Sequence, residues 1–169
     1  MTQQVNNNIA KILGVSEDSI SALPKEIIGS MQAVLESVEV RNEDDAKMLY
    51  SELDGYWRKG NVLNGLNDVA GDTGIDYTTL VNLDYDTQQE LVFEYMADSS
   101  NTAHLYDVVN KALAVMELEN VAKLTDIPVS RLKEYPFETQ VQLCGMYSME
   151  YDENDSFELI SRLKGVIGL

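Results

Sequence analysis

Carboxylates spaced four residues apart carry the clearest chemical signal in this chain of 169 residues. Glu90, Glu94 and Asp98 repeat at that interval, which on a helix stacks them along one face about 6 Å apart. Like charges at i,i+4 destabilise a helix by about 0.2–0.5 kcal/mol per pair, so this spacing suits a cationic partner better than a solvated face. All three lie in the stretch Gly60–Asn110, which has no Lys or Arg and also holds Asp72, Asp76, Asp84 and Asp86. A second cation-free run, Glu134–Ser161, contains Glu150, Asp152, Glu153 and Asp155. Glu43, Asp44 and Asp45 form a third cluster, diluted by Arg41 and Lys47. These acids are the candidate partner-binding groups, each able to stand in for a phosphate opposite Arg or Lys.

Other chemistry finds little support in the residue types. There is no phosphate-binding glycine loop and no paired-cysteine motif. The single His104 and single Cys144 do not make a metal site by spacing, and one cysteine forms no intramolecular disulfide. Asp84-Tyr85-Asp86 and Asp152-Glu153-Asn154-Asp155 have calcium-ligand types but lack the loop glycine and closing spacing of an EF-hand. Carboxylate pairs of the kind glycosidases use are expected by chance in so acidic a chain. No catalytic residue, cofactor or metal is therefore expected.

The net charge is −17 and the apolar fraction 44%. The apolar fraction is that of a folded protein. The charge excludes direct binding to nucleic acid, which needs clustered cations, and disfavours an anionic membrane. By the spacing of phosphates, 17 charges correspond to about 29 Å of duplex. No apolar run approaches the length of a membrane span, and the N-terminal residues lack the basic and apolar regions of a secretory leader. The expected compartment is the cytoplasm of a host cell.

The elements that must position these acids are helical. Sliding residues 69–95 by 52 positions onto 121–147 makes nine of 27 positions identical without a gap, including Val69/Val121, Thr73/Thr125, Leu80/Leu132, Gln88/Gln140 and Leu91/Leu143. A shift of 60 aligns Ile9/Val69, Gly14/Gly74 and Ile20/Leu80. Such self-similarity predicts three modules, 1–60, 61–116 and 117–169. In the first, Gly14 suits a helix end, Ser16 an N-cap and Pro24 a helix start, before an apolar 3.6-residue period through Ile27, Ile28, Met31, Val34 and Leu35. Asn61–Leu66 and Gly165–Leu169 are the only stretches with strand-like character, and Trp57 is expected between modules one and two. The fold class is mostly α: an elongated string of three small helical modules related by an internal repeat.

Ile9-Ala10-Lys11-Ile12-Leu13-Gly14-Val15-Ser16 followed by Ile20 has the spacing of a helix-turn-helix. The would-be reading helix, Ser16-Glu17-Asp18-Ser19-Ile20-Ser21, carries two acids and no cation. A groove-reading helix needs the opposite, so the spacing is read as helix packing.

The run Leu23-Pro24-Lys25-Glu26, the apolar helix through Leu35 and the acidic break Val40–Ala46 before a closing helix resemble the helical middle region of ArdA-type antirestriction proteins. Leu83-Asp84-Tyr85-Asp86 and Tyr135-Pro136-Phe137-Glu138 occupy the matching places in the later modules. The resemblance implies a dimeric DNA mimic made by a phage or mobile element. Its partner would be a host DNA-binding defence enzyme with a cationic groove, of the restriction-modification type. Two other readings stay open: an anti-CRISPR or other inhibitor of a nucleic-acid-binding protein, and a phage structural or assembly protein built from helical modules.

Overall fold

The computed structural model describes residues 2–169, and the chain is mostly helical, with no strand among the described residues. It divides into two compact units, Met1–Ser100 and Asn101–Leu169. The first holds α1 (Thr2–Leu13), α2 (Glu17–Ser21), α3 (Lys25–Ser37), α4 (Glu43–Thr73), α5 (Tyr77–Val81) and α6 (Tyr85–Ala97). The second holds α7 (Thr102–Ala114), α8 (Leu118–Thr125), α9 (Val129–Leu132), α10 (Phe137–Glu150) and α11 (Phe157–Val166).

Left-handed residues end three of these helices. Gly14 (φ 70°) follows α1, and the Val15 N–H donates to the Ala10 carbonyl at 3.0 Å. Gly74 (φ 74°) follows α4 and donates to the Ala70 carbonyl at 2.9 Å. Asp126 (φ 58°) follows α8, with the Ile127 N–H on the Ala122 carbonyl at 3.2 Å. Glycine adopts this backbone without strain, and a short polar side chain tolerates it. Each turn uses the spare carbonyls of the helix it ends and leads into a short helix, α2, α5 or α9.

In the first unit, Ile9, Ile20, Leu23, Ile27, Met31, Leu49 and Leu53 form a continuous buried cluster from α1, α2, α3 and α4. Trp57 is half-buried and packs on this cluster. The second unit is built on Leu118, Val121, Ile127, Leu132, Leu143, Cys144, Leu159 and Leu163.

The helices depart from the strand-like stretches expected at 61–66 and 165–169. The 60/61 boundary falls inside α4, which runs unbroken for 31 residues. Asn61–Leu66 is helical: Leu66 and Val69 are buried at helical spacing, and Gly65 is accommodated where Val92 of α6 packs close. Gly165 and Val166 continue α11. The division between units falls after Ser100, so α7 lies with α10 in the second unit.

Two glycines within α4, Gly60 and Gly65, mark close approaches of other parts of the chain. A Cβ on Gly60 would sit 2.8 Å from Leu23 Cδ2, and one on Gly65 would sit 2.5 Å from Val92 Cγ1 on α6. Valine is stiff about its first side-chain bond, so α6 itself would have to move. Gly71, on the same helix, has nothing within 4 Å. Gly71→Ala should raise stability by about 0.5–1 kcal/mol through helix propensity alone. Gly65→Ala should lower it by about 1 kcal/mol or more, overpacking outweighing propensity. Urea melts of the two variants check this, and equal stabilisation by both would contradict the close approach.

One polar side chain sits badly in the first unit. Asn6 on α1 is buried; its Nδ2 lies 3.5 Å from Ser21 Oγ, and its Oδ1 is buried without a hydrogen-bond partner. Leaving a buried acceptor unpaired costs about 1–3 kcal/mol. Leu66 and Leu118 hold the same place relative to Val69 and Val121 that Asn6 holds relative to Ile9. Asn6→Leu should raise the melting temperature, and a fall would show that the polar group is satisfied in solution.

Candidate acidic interaction surface

Most of the fourteen candidate acids serve the local structure first. Asp76 and Asp84 are N-caps: Asp76 Oδ1 accepts the Thr78 N–H at 2.9 Å, and Asp84 accepts the Thr87 N–H at 3.0 Å and its hydroxyl at 2.7 Å. Such caps contribute about 0.5–2 kcal/mol each. Asp45 belongs to a reciprocal cap at the start of α4. Its N–H donates to Asn42 Oδ1 at 2.9 Å, and its carboxylate accepts the Arg41 N–H at 3.0 Å. Glu43, Asp44 and Asp45 fill the first turn of α4, where negative charge complements the helix dipole.

Other acids are held by neighbours. Glu43 pairs with Lys47 at 2.9 Å, and Glu150 pairs with Arg162. These are exposed ion pairs, each contributing about 0–1 kcal/mol. Asp152 accepts the Asn154 N–H at 2.9 Å in the connection that also carries the exposed Glu153 and Asp155. Asp72 on α4 accepts the Tyr95 hydroxyl of α6 at 2.5 Å. That bond, slight burial and the charges of Asp72 and Asp68 hold the Tyr95 phenol above its ordinary pKa.

The expected stripe changes membership. α6 ends at Ala97, and Asp98 is its C-cap in extended conformation (φ −154°), with its carboxylate turned to the Ser100 N–H at 3.0 Å and hydroxyl at 2.6 Å. Asp98 therefore leaves the helical face. Asp86 enters it, so the stripe runs Asp86, Glu90, Glu94, with Asp86 and Glu90 exposed and Glu94 half-buried. No Lys or Arg lies on α6.

α6 is held firmly. Gln88 is buried and its Nε2 reaches the carbonyls of Leu80, Val81 and Leu83 at 3.2, 2.9 and 2.9 Å, closing the end of α5. Leu91 is fully buried, and Val92 meets Gly65. Gln140 does the same work for α9, reaching the Lys133 and Tyr135 carbonyls at 3.1 and 2.8 Å.

The composition did not single out the apolar residues beside this stripe. Phe93 is 71% and Met96 79% exposed, both on the outward side of α6. In the second unit Met149 and Phe157 are similarly uncovered. The only early sign was that apolar residues occur all round α6 instead of on one side.

No group of three or more His, Cys, Asp or Glu able to hold a metal occurs among the described residues. His104 is exposed on α7. Cys144 is buried, and burial foremost, with the nearby Glu117 charge, pushes its thiol up to about 11, against a smaller opposing effect of a Glu117 backbone hydrogen bond. An open surface depression of about 370 Å³ lies over Glu119, Lys123, Asp126 and Val129.

The raised thiol gives a pH prediction. A folded-state pKa above the unfolded 9.0 stabilises the protein below pH 9, and that contribution is lost as pH rises through about 11. At pH 8 the thiolate fraction falls from about one in ten unfolded to about one in a thousand folded. A chromogenic disulfide reagent should therefore label Cys144 about a hundredfold more slowly in buffer than in urea. Equal rates would show the thiol to be exposed. Compared with protein families, curated proteins and solved structures, the chain matches none.

Proposed function

We infer that this chain is a non-catalytic acidic inhibitor that acts by DNA mimicry. It occupies the cationic DNA-binding groove of a host defence enzyme of the restriction-modification type. The observation that carries the reading is the stripe Asp86–Glu90–Glu94 on a helix without a cation, inside 51 residues that lack Lys and Arg. The exposed carboxylates of Asp86 and Glu90 would meet Arg and Lys in the positions that phosphates would take. The exposed Asp44, Glu153 and Asp155 extend the same chemistry. The resemblance to ArdA-type antirestriction proteins points to the same target class, to a phage or mobile-element source and to action in the host cytoplasm. No helix among the described residues is long and apolar enough to cross a membrane.

The reading includes a threefold repeat. A helix, a left-handed cap, a short helix and two further helices recur from Gly14, Gly74 and Asp126. Buried residues recur with them: Ile9, Val69 and Val121; Ile20, Leu80 and Leu132; Met31, Leu91 and Leu143. In this reading the closing helix of the first copy and the opening helix of the second are fused into α4. Multiplying one small module is a direct way to multiply its acidic helices.

A second reading, an assembly protein, is favoured by the exposed Phe93, Met96, Met149 and Phe157. Salt separates the two. Tagged protein loaded with a bacterial lysate at low salt should release its partner as salt rises, because exposed charge pairs are screened within about 10 Å at 0.1 M. Duplex DNA should compete for the partner. Asp86→Lys with Glu90→Lys should weaken the complex by about tenfold or more, with helicity unchanged by circular dichroism. A partner that survives high salt and ignores DNA would move the assignment to assembly.

A further inference from the structure

We propose that the outward face of α6 is a docking surface for a basic amphipathic helix of a partner protein. Residues 85, 89, 93 and 96 follow one another at helical spacing, so Tyr85, Phe93 and Met96 form an apolar edge interrupted only by Gln89. Among the described residues Phe93 and Met96 are the most exposed large apolar side chains of the first unit, and Tyr85 is partly uncovered. Asp86 and Glu90 run beside this edge, one residue further round. Isolated exposed apolar residues are ordinary. Here two large ones lie one turn apart, and an acidic row on a helix without a cation borders them, the helix being about 20 Å long.

Charge selects the occupant. A second copy would bring another cation-free face against Asp86 and Glu90, which like charge opposes. Nucleic acid and anionic lipid carry the same sign as this face. A helix with apolar residues at i, i+3 and i+7 and Lys or Arg beside them complements both rows at once. Methionine adapts its shape to a partner side chain. The face is set before binding, because Gln88, Leu91 and the Val92–Gly65 contact fix α6 from behind, so little ordering is needed on docking.

The test uses the full chain and three synthetic helical peptides of about 14 residues: Lys/Leu, Lys/Ser and Glu/Leu, with the second residue type on one face. Titration calorimetry should show one-to-one binding of Lys/Leu, with Lys/Ser and Glu/Leu weaker by about tenfold or more. Phe93→Ser with Met96→Ser should weaken Lys/Leu by about tenfold and leave a salt-sensitive remainder. Asp86→Asn with Glu90→Gln should weaken it and flatten its salt dependence. Met149→Ser, in the second unit, should change nothing. Equal binding of Lys/Leu and Lys/Ser, no effect of the Phe93/Met96 pair, or a concentration-dependent dimer abolished by that pair would overturn the proposal. It does not require the partner to bind DNA: a failure of DNA competition leaves it standing, and loss of Lys/Leu binding leaves the competition reading standing.

Discussion

The first unit depends on how closely its helices approach α4. Gly60 meets Leu23 and Ile27 of the α2–α3 region, and Gly65 meets Val92 of α6. At both sites a single methyl group would collide with an apolar side chain. This contact sets the distance between α4 and α6, and therefore which side of α6 is buried and which remains outside. Glycine inside a helix costs about 0.8–1 kcal/mol relative to alanine. The packing gained by close approach offsets that cost.

The second constraint is charge. Seventeen uncompensated negative charges repel one another. The fold reduces their effect by giving many acids local tasks: caps at Asp76 and Asp84, the reciprocal cap at Asp45, ion pairs at Glu43 and Glu150, and the turn at Asp98. At helix N-termini the carboxylate faces partial positive charge, so an acid there stabilises the helix despite the global surplus. Asp86 and Glu90 face no cation on α6, Asp86 being complemented only by the helix dipole in the first turn, and they lie beside the uncovered Phe93 and Met96. That combination, and not the acid count, separates α6 from the rest of the surface.

The two functional readings differ in what accompanies the charge. A surface that only imitates phosphates needs anions at suitable spacing. Phe93 and Met96 add apolar area that DNA phosphates lack, so a partner that uses them retains contacts after salt has screened the ionic ones. A basic segment carrying apolar residues satisfies both, and many nucleic-acid-binding proteins present cations on helices.

Much of the helical plan was legible in the residues. Gly14 marked a helix end because only glycine takes a left-handed backbone freely, and Ser16 marked an N-cap because its hydroxyl accepts a helix-end N–H. The identities at shift 52 fell on positions that the fold buries, such as Val69/Val121 and Leu91/Leu143, or uses as staples, such as Gln88/Gln140. Tertiary structure decided the rest. Gly60 and Asn61 read as a boundary, but a glycine that receives a neighbouring side chain does not end a helix. Asp98 looked like the next member of the acidic stripe, but the chain leaves helical geometry at that residue. Nothing in the residue types of Phe93 and Met96 shows that they are exposed. Only the approach of Val92 to Gly65 and the burial of Leu91 set the rotation of α6 that leaves those two side chains in water.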